Sequence, residues 1–209
     1  MNAPAPRLVL ATRNAGKLKE LRELLRGRIE GLDVDTQVID AAAAGAPDVP
    51  ETGVTFEENS LLKARAVAEA TGLPAIADDS GLAVDVLGGA PGIFSARWSG
   101  AHGNDQANLD LLLAQLADIG PDHRGAAFIC AAALAVPGGR QTVERGELRG
   151  TLLAEPRGTN GFGYDPVLQP DGESRSCAEL TGAEKNAISH RGKAFRALLP
   201  AIIDVLAAP

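Results

Sequence analysis

The sequence predicts an α/β fold built on a mixed sheet, and two observations carry this prediction. The chain opens with a strand–turn–helix unit: the apolar run "RLVLAT" (7–12), the break "RNAG", and "KLKELRELL", whose leucines recur at helical spacing. Further along, "AAFICAAALAV", "PGG" and "RQTVERGELRGTLL" (126–153) predict a long β-hairpin. A strand–helix unit together with a later hairpin is typical of an α/β protein with a mixed sheet.

The first half of the chain continues with a second predicted strand, "LDVDTQVI" (32–39), and a proline-rich loop. The next helix is expected to begin at Thr55, because Glu58 follows three residues later as in a capping box, and to end at Gly72. The apolar segments "PAIA" and "GLAVDVL" then predict two strands that flank a pair of aspartates.

In the second half, Asn104 and Asp105 are suited to cap a third helix over 107–118. The last helical stretch is predicted over 186–208, where Pro200 is expected to kink or divide the helix. We find no internal repeat and no linker, so residues 1–209 are expected to form one domain.

Composition excludes several classes of function. The formal net charge of −7 argues against broad, non-specific binding of nucleic acid. The two cysteines, Cys130 and Cys177, stand in no zinc-binding pattern. No apolar run approaches the roughly 20 residues that span a bilayer, and the first residues lack the apolar core of a signal peptide. We therefore expect a cytoplasmic protein.

The turn "TRNAGK" (12–17) is a candidate phosphate site, because it lies where a strand passes into a helix. Free backbone N–H groups at such a turn favour an anion. Lys17 adds a positive charge, and Thr12 and Asn14 add short hydrogen-bonding groups. The alternative is an ordinary helix cap with a solvated lysine.

Asp78 and Asp79 interrupt an apolar run, where an unpaired buried carboxylate would cost several kcal/mol. At the end of a strand they would suit a divalent cation, with Mg²⁺ preferred beside phosphate, and one of them could take a proton from water. "DDSG" is also good turn composition, so a structural role stays open. Glu51 and Lys63 gain interest only if the loop carrying Glu51 folds back toward these acids.

Two later segments carry groups suited to a nucleobase. In the glycine-rich "GTNGFGYDP" (158–166), either Phe162 or Tyr164 could stack on a base, and Asp165 could hydrogen-bond base or sugar. The alternative is a turn with a packed aromatic residue. In "EKNAISHRGKAF" (184–195), Arg191 and Lys193 could form a solvated helix face with the next residue, Arg196. Alternatively, three side chains of this segment could contact phosphate or donate to a carbonyl on a base. These are Lys185, His190 and Arg191.

Taken together, these segments resemble the inosine/xanthosine triphosphate pyrophosphatase family, the Ham1-like noncanonical purine NTP pyrophosphatases. The matching pieces are "ATRNAGKLKE", "ETGVTFEENSLLKARA", "IADDSGLAVDVLGGAPGIFSARWSG", "GTNGFGYDPVL" and "AELTGAEKNAISHRGKAF", which reach from Ala11 to Phe195. The resemblance implies two lobes with a central nucleotide-binding cleft, a homodimer, and Mg²⁺ as cofactor. It implies no nucleic-acid or membrane partner.

The resemblance also implies a role for each matching residue. The triphosphate would be bound by the turn of Thr12, Arg13, Asn14, Ala15, Gly16 and Lys17, together with Lys63. Metal would be bound by Glu51 and Asp79, with Asp78 supporting them, and Asp79 would activate water. The rest of the substrate would contact Ser80, Phe162, Gly163, Tyr164, Asp165, Lys185, His190 and Arg191.

The reaction so implied converts ITP, dITP or XTP to the monophosphate and pyrophosphate, and removes these nucleotides from the pool. Two rival functions stay open at this point. One is a pyrophosphatase for other nucleotides, such as modified pyrimidines. The other is a nucleotide sensor that binds without turnover.

Overall fold

The computed structural model describes residues 4–12 and 15–207, with the backbone alone at residue 15. Arg13 and Asn14 of the predicted phosphate turn therefore lie outside the described residues. The described chain contains a mixed sheet in the order β2–β1–β3–β4–β5–β6, which confirms the predicted fold class. The strands are β1 (Leu8–Leu10), β2 (Val38–Asp40), β3 (Ala75–Val84), β4 (Gly125–Ala135), β5 (Gln141–Leu152) and β6 (Leu168–Pro170).

Strand β1 pairs in parallel with β2 and β3, whereas β5 and β6 are antiparallel. The predicted hairpin is present as the neighbouring strands β4 and β5. The α-helices are α1 (Ala15–Leu25), α2 (Val34–Gln37), α3 (Phe56–Thr71), α4 (Asp105–Gln115), α5 (Gly182–Ile188) and α6 (His190–Ala207). In the described part of the chain, no helix has the length and apolar character needed to cross a membrane.

The chain divides into two compact units. The first consists of Met1–Asp79, Ala131–Arg145 and Ala194–Pro209, and the second of Ser80–Cys130 and Gly146–Lys193. The predicted nucleotide cleft stays a prediction.

In the first unit, helix α3 begins and ends where the sequence predicts. The Thr55 hydroxyl accepts a hydrogen bond from the Glu58 backbone N–H at 3.1 Å, and Gly72 ends the helix with a left-handed φ of 69°. The Glu58 carboxylate accepts from the N–H of Val54, one residue before the cap. Alanines of α3, including Ala64 and Ala68, form a buried core with the strands, and their small size lets helix and sheet approach closely.

Three expectations about the elements are wrong. Residues 34–37 are helical, and only Val38–Asp40 form a strand, because the Asp33 carboxylate accepts from the Asp35 N–H and the Thr36 hydroxyl and so starts a helical turn. The two strands expected around the aspartates are one continuous strand, β3. Asp78 and Asp79 thus lie inside a strand rather than at its end.

The last helical stretch is divided at Ser189 and not at Pro200, while a kink at Pro200 stays a prediction. Ser189 is extended (φ −61°, ψ 147°), and its hydroxyl accepts from the N–H of Gly192 in the first turn of α6. Helix α6 continues through Pro200 to Ala207.

The second unit packs α4 with residues of β3, β4 and β5 around a leucine-rich core. Buried Arg124 donates to the carbonyls of Leu116, Ile119 and Leu153, and therefore ties the end of α4 to the chain after β5.

Candidate active site

The first candidate site, the carboxylate–lysine cluster, lies within the first unit and contains five charged residues: Lys17, Glu51, Lys63, Asp78 and Asp79. Successive residues of a strand point to opposite faces. Accordingly, Asp78 meets Lys17 of α1, whereas Asp79 meets Lys63 of α3. Each of the two acids that the sequence singles out therefore pairs with a different lysine.

Asp78 is held by a bidentate ion pair. The Lys17 ammonium donates to Oδ1 at 2.9 Å and to Oδ2 at 2.8 Å, and the Asp78 side chain is only 2% exposed. The ammonium thus offsets the cost of burying this carboxylate. The Lys17 side chain is itself 23% exposed, so solvent reaches part of it.

Asp79 is a partly exposed carboxylate that lies near one positive and two negative side chains. Asn59 Nδ2 donates to Oδ2 at 3.1 Å, and the Lys63 ammonium lies 3.7 Å from Oδ1. Burial raises the pKa of Asp79; Lys63 and the Asn59 hydrogen bond oppose this rise, while the charges of Glu51 and Asp78 add to it. A carboxylate whose pKa is raised is a better proton acceptor near neutral pH than an ordinary aspartate.

The loop before α3 folds back toward the acids, as the prediction from the sequence required for Glu51 to be a site residue. The Lys63 ammonium donates to Glu51 Oε1 at 2.6 Å. Burial lowers the pKa of Lys63, but Asp79 and Glu51 outweigh it, so the net pKa is raised. Lys63 therefore stays charged and lies against both carboxylates.

The donor set of this cluster fits Mg²⁺ that arrives with phosphate. Among the described residues, no three His, Cys, Asp or Glu side chains form a group that could hold a metal by themselves. Glu51 and Asp79 nevertheless converge on the one ammonium of Lys63. Mg²⁺ characteristically uses one or two carboxylates and completes its coordination with water and substrate phosphates.

The second candidate site, the aromatic-loop cluster, lies within the second unit and consists of Phe162, Asp165 and Lys185. The Phe162 ring is 65% exposed, and the Lys185 ammonium lies 5.2 Å from its centroid. Asp165 Oδ2 accepts from the Phe162 N–H at 2.8 Å and from Lys185 at 2.5 Å. At Gly161 a Cβ would stand 2.1 Å from that same carboxylate oxygen, so this tight loop requires glycine.

Tyr164 has a different place from Phe162. It is 5% exposed, and its hydroxyl donates to the Ser95 carbonyl at 2.9 Å. Burial raises the pKa of its phenol. Of the two aromatics that the sequence offers for stacking, Phe162 is thus the exposed one. The Gly163 N–H donates to the Asp105 carboxylate at 3.0 Å and anchors the loop to the start of α4.

The remaining predicted residues are distributed over both units. Thr12 follows β1, and Gly16 and Lys17 lie in the first turn of α1. In the second unit, half-buried Ser80 lies in β3 directly after Asp79, and His190 begins α6, stacked on Phe128 with the ring centroids 5.1 Å apart. Arg191 is the next residue of that helix.

Sequence reasoning missed Asn59, which contacts Asp79 directly. A signal was available, because Asn59 precedes Lys63 by four residues and so shares its helix face.

The described residues thus form a mixed α/β protein with a cluster of acids and lysines in one unit and an exposed aromatic ring beside a lysine in the other. Such groups suit an anionic ligand that carries an aromatic part. The chain belongs to the Ham1 family, whose profile matches residues 8–201.

Named relatives and solved structures agree with this membership. The chain is 68% identical over 200 residues to a dITP/XTP pyrophosphatase of Streptomyces coelicolor, with 96% of this chain and 98% of the relative covered. A HAM1 protein from Coxiella burnetii has a TM-score of 0.86 at 41% identity, with 95% of this chain and 99% of that chain covered. A nucleoside-triphosphatase, or dITP/XTP pyrophosphatase, from Mycobacterium abscessus has a TM-score of 0.76 at 49% identity, with 93% and 99% covered.

Proposed function

We propose that this protein hydrolyses noncanonical purine nucleoside triphosphates (ITP, dITP and XTP) to the monophosphate and pyrophosphate. The observation that carries the proposal is the carboxylate–lysine cluster, in which Lys63 lies 2.6 Å from Glu51 and 3.7 Å from Asp79. Such a cluster supplies both the positive charge that a polyphosphate needs and a carboxylate that can accept a proton. Full-length similarity to relatives named dITP/XTP pyrophosphatases supports the same substrate class.

In the proposed reaction, the oxygen of a water molecule attacks the α-phosphorus, and the bond from that phosphorus to the bridging oxygen of the β-phosphate breaks. Asp79 orients the water and takes its proton. Lys17 and Lys63 offset the negative charge of the departing pyrophosphate, together with the turn at 12–17. When bound, Mg²⁺ would be held by Glu51 and Asp79, with Asp78 in support, and would neutralise charge on the phosphate oxygens.

We propose that the purine contacts residues of the second unit. Phe162 is proposed to stack on the base, and Gly163, Tyr164 and Asp165 to complete that side of the site. The 6-oxo group would be read by Lys185, His190 and Arg191, with Ser80 contacting the substrate. Fixed donors at this position reject adenine, because its 6-amino group would leave them unpaired.

The test is to incubate the protein with ITP, XTP, ATP and GTP in the presence of Mg²⁺ and to identify the products. We expect pyrophosphate from ITP and XTP and much slower turnover of ATP. Release of orthophosphate would contradict the proposal. So would preferred turnover of modified pyrimidine triphosphates in a parallel panel, and so would tight binding of ITP without any product.

Dependence on Mg²⁺ belongs to the same proposal, and we expect chelation to abolish turnover and added Mg²⁺ to restore it. The homodimer and the cytoplasmic location stay predictions from the sequence.

Replacing Phe162 with alanine is expected to weaken nucleotide binding and to leave stability nearly unchanged, because the ring is 65% exposed. Loss of one base–aromatic stack costs about 1–3 kcal/mol, so we expect the Kd for ITP to rise by about 5- to 150-fold in calorimetric titrations. Phe94→Ala is the matched control, since Phe94 is another exposed phenylalanine (49%) of the same unit. An unchanged Kd for Phe162→Ala would remove Phe162 from the base site.

A further inference from the structure

The buried amide of Asn59 links two parts of the carboxylate–lysine cluster. Asn59 lies in the first turns of α3 and is 1% exposed. Its Oδ1 accepts from the Gly53 N–H at 2.8 Å, and its Nδ2 donates to Asp79 Oδ2 at 3.1 Å. One side chain therefore spans the loop that carries Glu51 and the strand that carries Asp79.

The loop is built to approach this amide closely. A Cβ at Gly53 would stand 2.7 Å from Asn59 Oδ1 and 2.7 Å from the Glu58 Cβ, so a side chain at Gly53 would displace the loop. The Glu58 carboxylate holds the next N–H, that of Val54, at 2.7 Å. The start of α3 thus holds the loop by two consecutive backbone groups.

The same amide orients the Asp79 carboxylate. Because Nδ2 of Asn59 occupies Oδ2, the other oxygen, Oδ1, is the one that faces the Lys63 ammonium at 3.7 Å. Lys63 also contacts Glu51, so Oδ1 of Asp79 and Oε1 of Glu51 share one cation. Rotation of the Asp79 carboxylate would break this convergence.

We propose that Asn59 is a positioning residue, which fixes the orientation of the Asp79 carboxylate and its separation from Glu51 through the Gly53 backbone. This inference rests on the proposed function, in which these two carboxylates act together. Asn59 would act on the two carboxylates and not on the substrate. Replacing Asn59 is therefore expected to lower kcat and to leave KM largely unchanged. Outer residues that orient ligating carboxylates typically contribute 10- to 100-fold.

The test compares Asn59→Leu with Asn108→Leu. Asn108 is an equally buried asparagine (1% exposed) whose side chain bonds only Ser99 among the contacts described, through its Oδ1; it belongs to the second unit, whereas the two acids belong to the first. We expect Asn59→Leu to lower kcat for ITP by about 10- to 100-fold with KM changed less than about threefold. Asn108→Leu, where folded, is expected to keep its kcat.

A second variant, Gly53→Ala, tests the same link without replacing the buried amide. It is expected to lower kcat in the same direction, since the added Cβ pushes the loop from Asn59. Wild-type kcat in folded Asn59→Leu or Gly53→Ala, or an equal loss of kcat in Asn108→Leu, would overturn the proposal.

An observable independent of turnover is hydrogen exchange at the Gly53 amide, followed by NMR. Asn59→Leu is expected to speed this exchange markedly, because the amide loses its acceptor. Unchanged exchange would overturn the positioning role. If the wild-type protein released no pyrophosphate from ITP, the proposed function alone would fail, and this exchange measurement would still decide whether Asn59 holds the loop.

Discussion

Asp79→Asn is expected to lower kcat for ITP by about 10²- to 10⁴-fold, the range over which a general base contributes. Asparagine keeps the shape of the side chain, and its Oδ1 can still accept from Asn59 Nδ2. What is lost is the group that takes the proton of the attacking water. The measurement is steady-state release of pyrophosphate at saturating ITP.

The same variant is expected to be more stable than the wild type at pH 7. The pKa of Asp79 is raised in the folded protein, so ionised Asp79 is a cost of folding above its ordinary pKa of about 3.9 and no cost well below it. The gain in Tm for Asp79→Asn should therefore shrink as the pH is lowered toward that value. Lys63 keeps Glu51 as a partner in this variant.

Asp110→Asn is the control, because Asp110 is an exposed carboxylate on α4. Neither kcat nor Tm is expected to change in the Asp110→Asn variant. If Asp79→Asn turned over ITP at the normal rate, or were less stable than the wild type at pH 7, the assigned role and environment of Asp79 would be wrong.

Lys17→Met is expected to have the second large effect, on stability as well as activity. The change removes a bidentate ammonium from a carboxylate that is 2% exposed. Breaking a buried ion pair from one side costs about 3–5 kcal/mol, and we expect the lower end because Lys17 is 23% exposed. For a chain of this size, 3 kcal/mol corresponds to a fall in Tm of about 6–12 °C.

The double variant Lys17→Met/Asp78→Asn separates the two effects. It is expected to recover most of the lost Tm, since the buried charge is gone, but not the turnover, since the phosphate-binding ammonium is still missing. Lys19→Met, which removes an exposed lysine of the same helix, controls for the loss of a surface charge. Full recovery of turnover in the double variant would show that Lys17 acts only through Asp78.

The sequence predicts the starts of α3 and α4 well, because capping depends on residues only a few positions apart. Thr55 and Asn104 cap their helices as expected. Where local signals compete, prediction fails. "LDVDTQVI" alternates like a strand, yet hydrogen bonds to the Asp33 carboxylate turn its first half into a helix.

The two aspartates illustrate why a site is harder to predict than its residues. Their apolar surroundings single them out, but aspartate is uncommon within strands, so a strand passing through both was not expected. Their partners are distant in sequence: Lys17 lies 61 residues before Asp78, and Asn59 lies 20 residues before Asp79. Only the folded chain shows which residue each acid contacts.

The central claim, that water attacks the α-phosphorus under the control of the carboxylate–lysine cluster, is tested most directly by isotope labelling. A single turnover of ITP in water labelled with heavy oxygen is analysed by mass spectrometry of both products. We expect the label in inosine monophosphate and none in pyrophosphate. Label in pyrophosphate, or in orthophosphate released from the γ-position, would contradict the account.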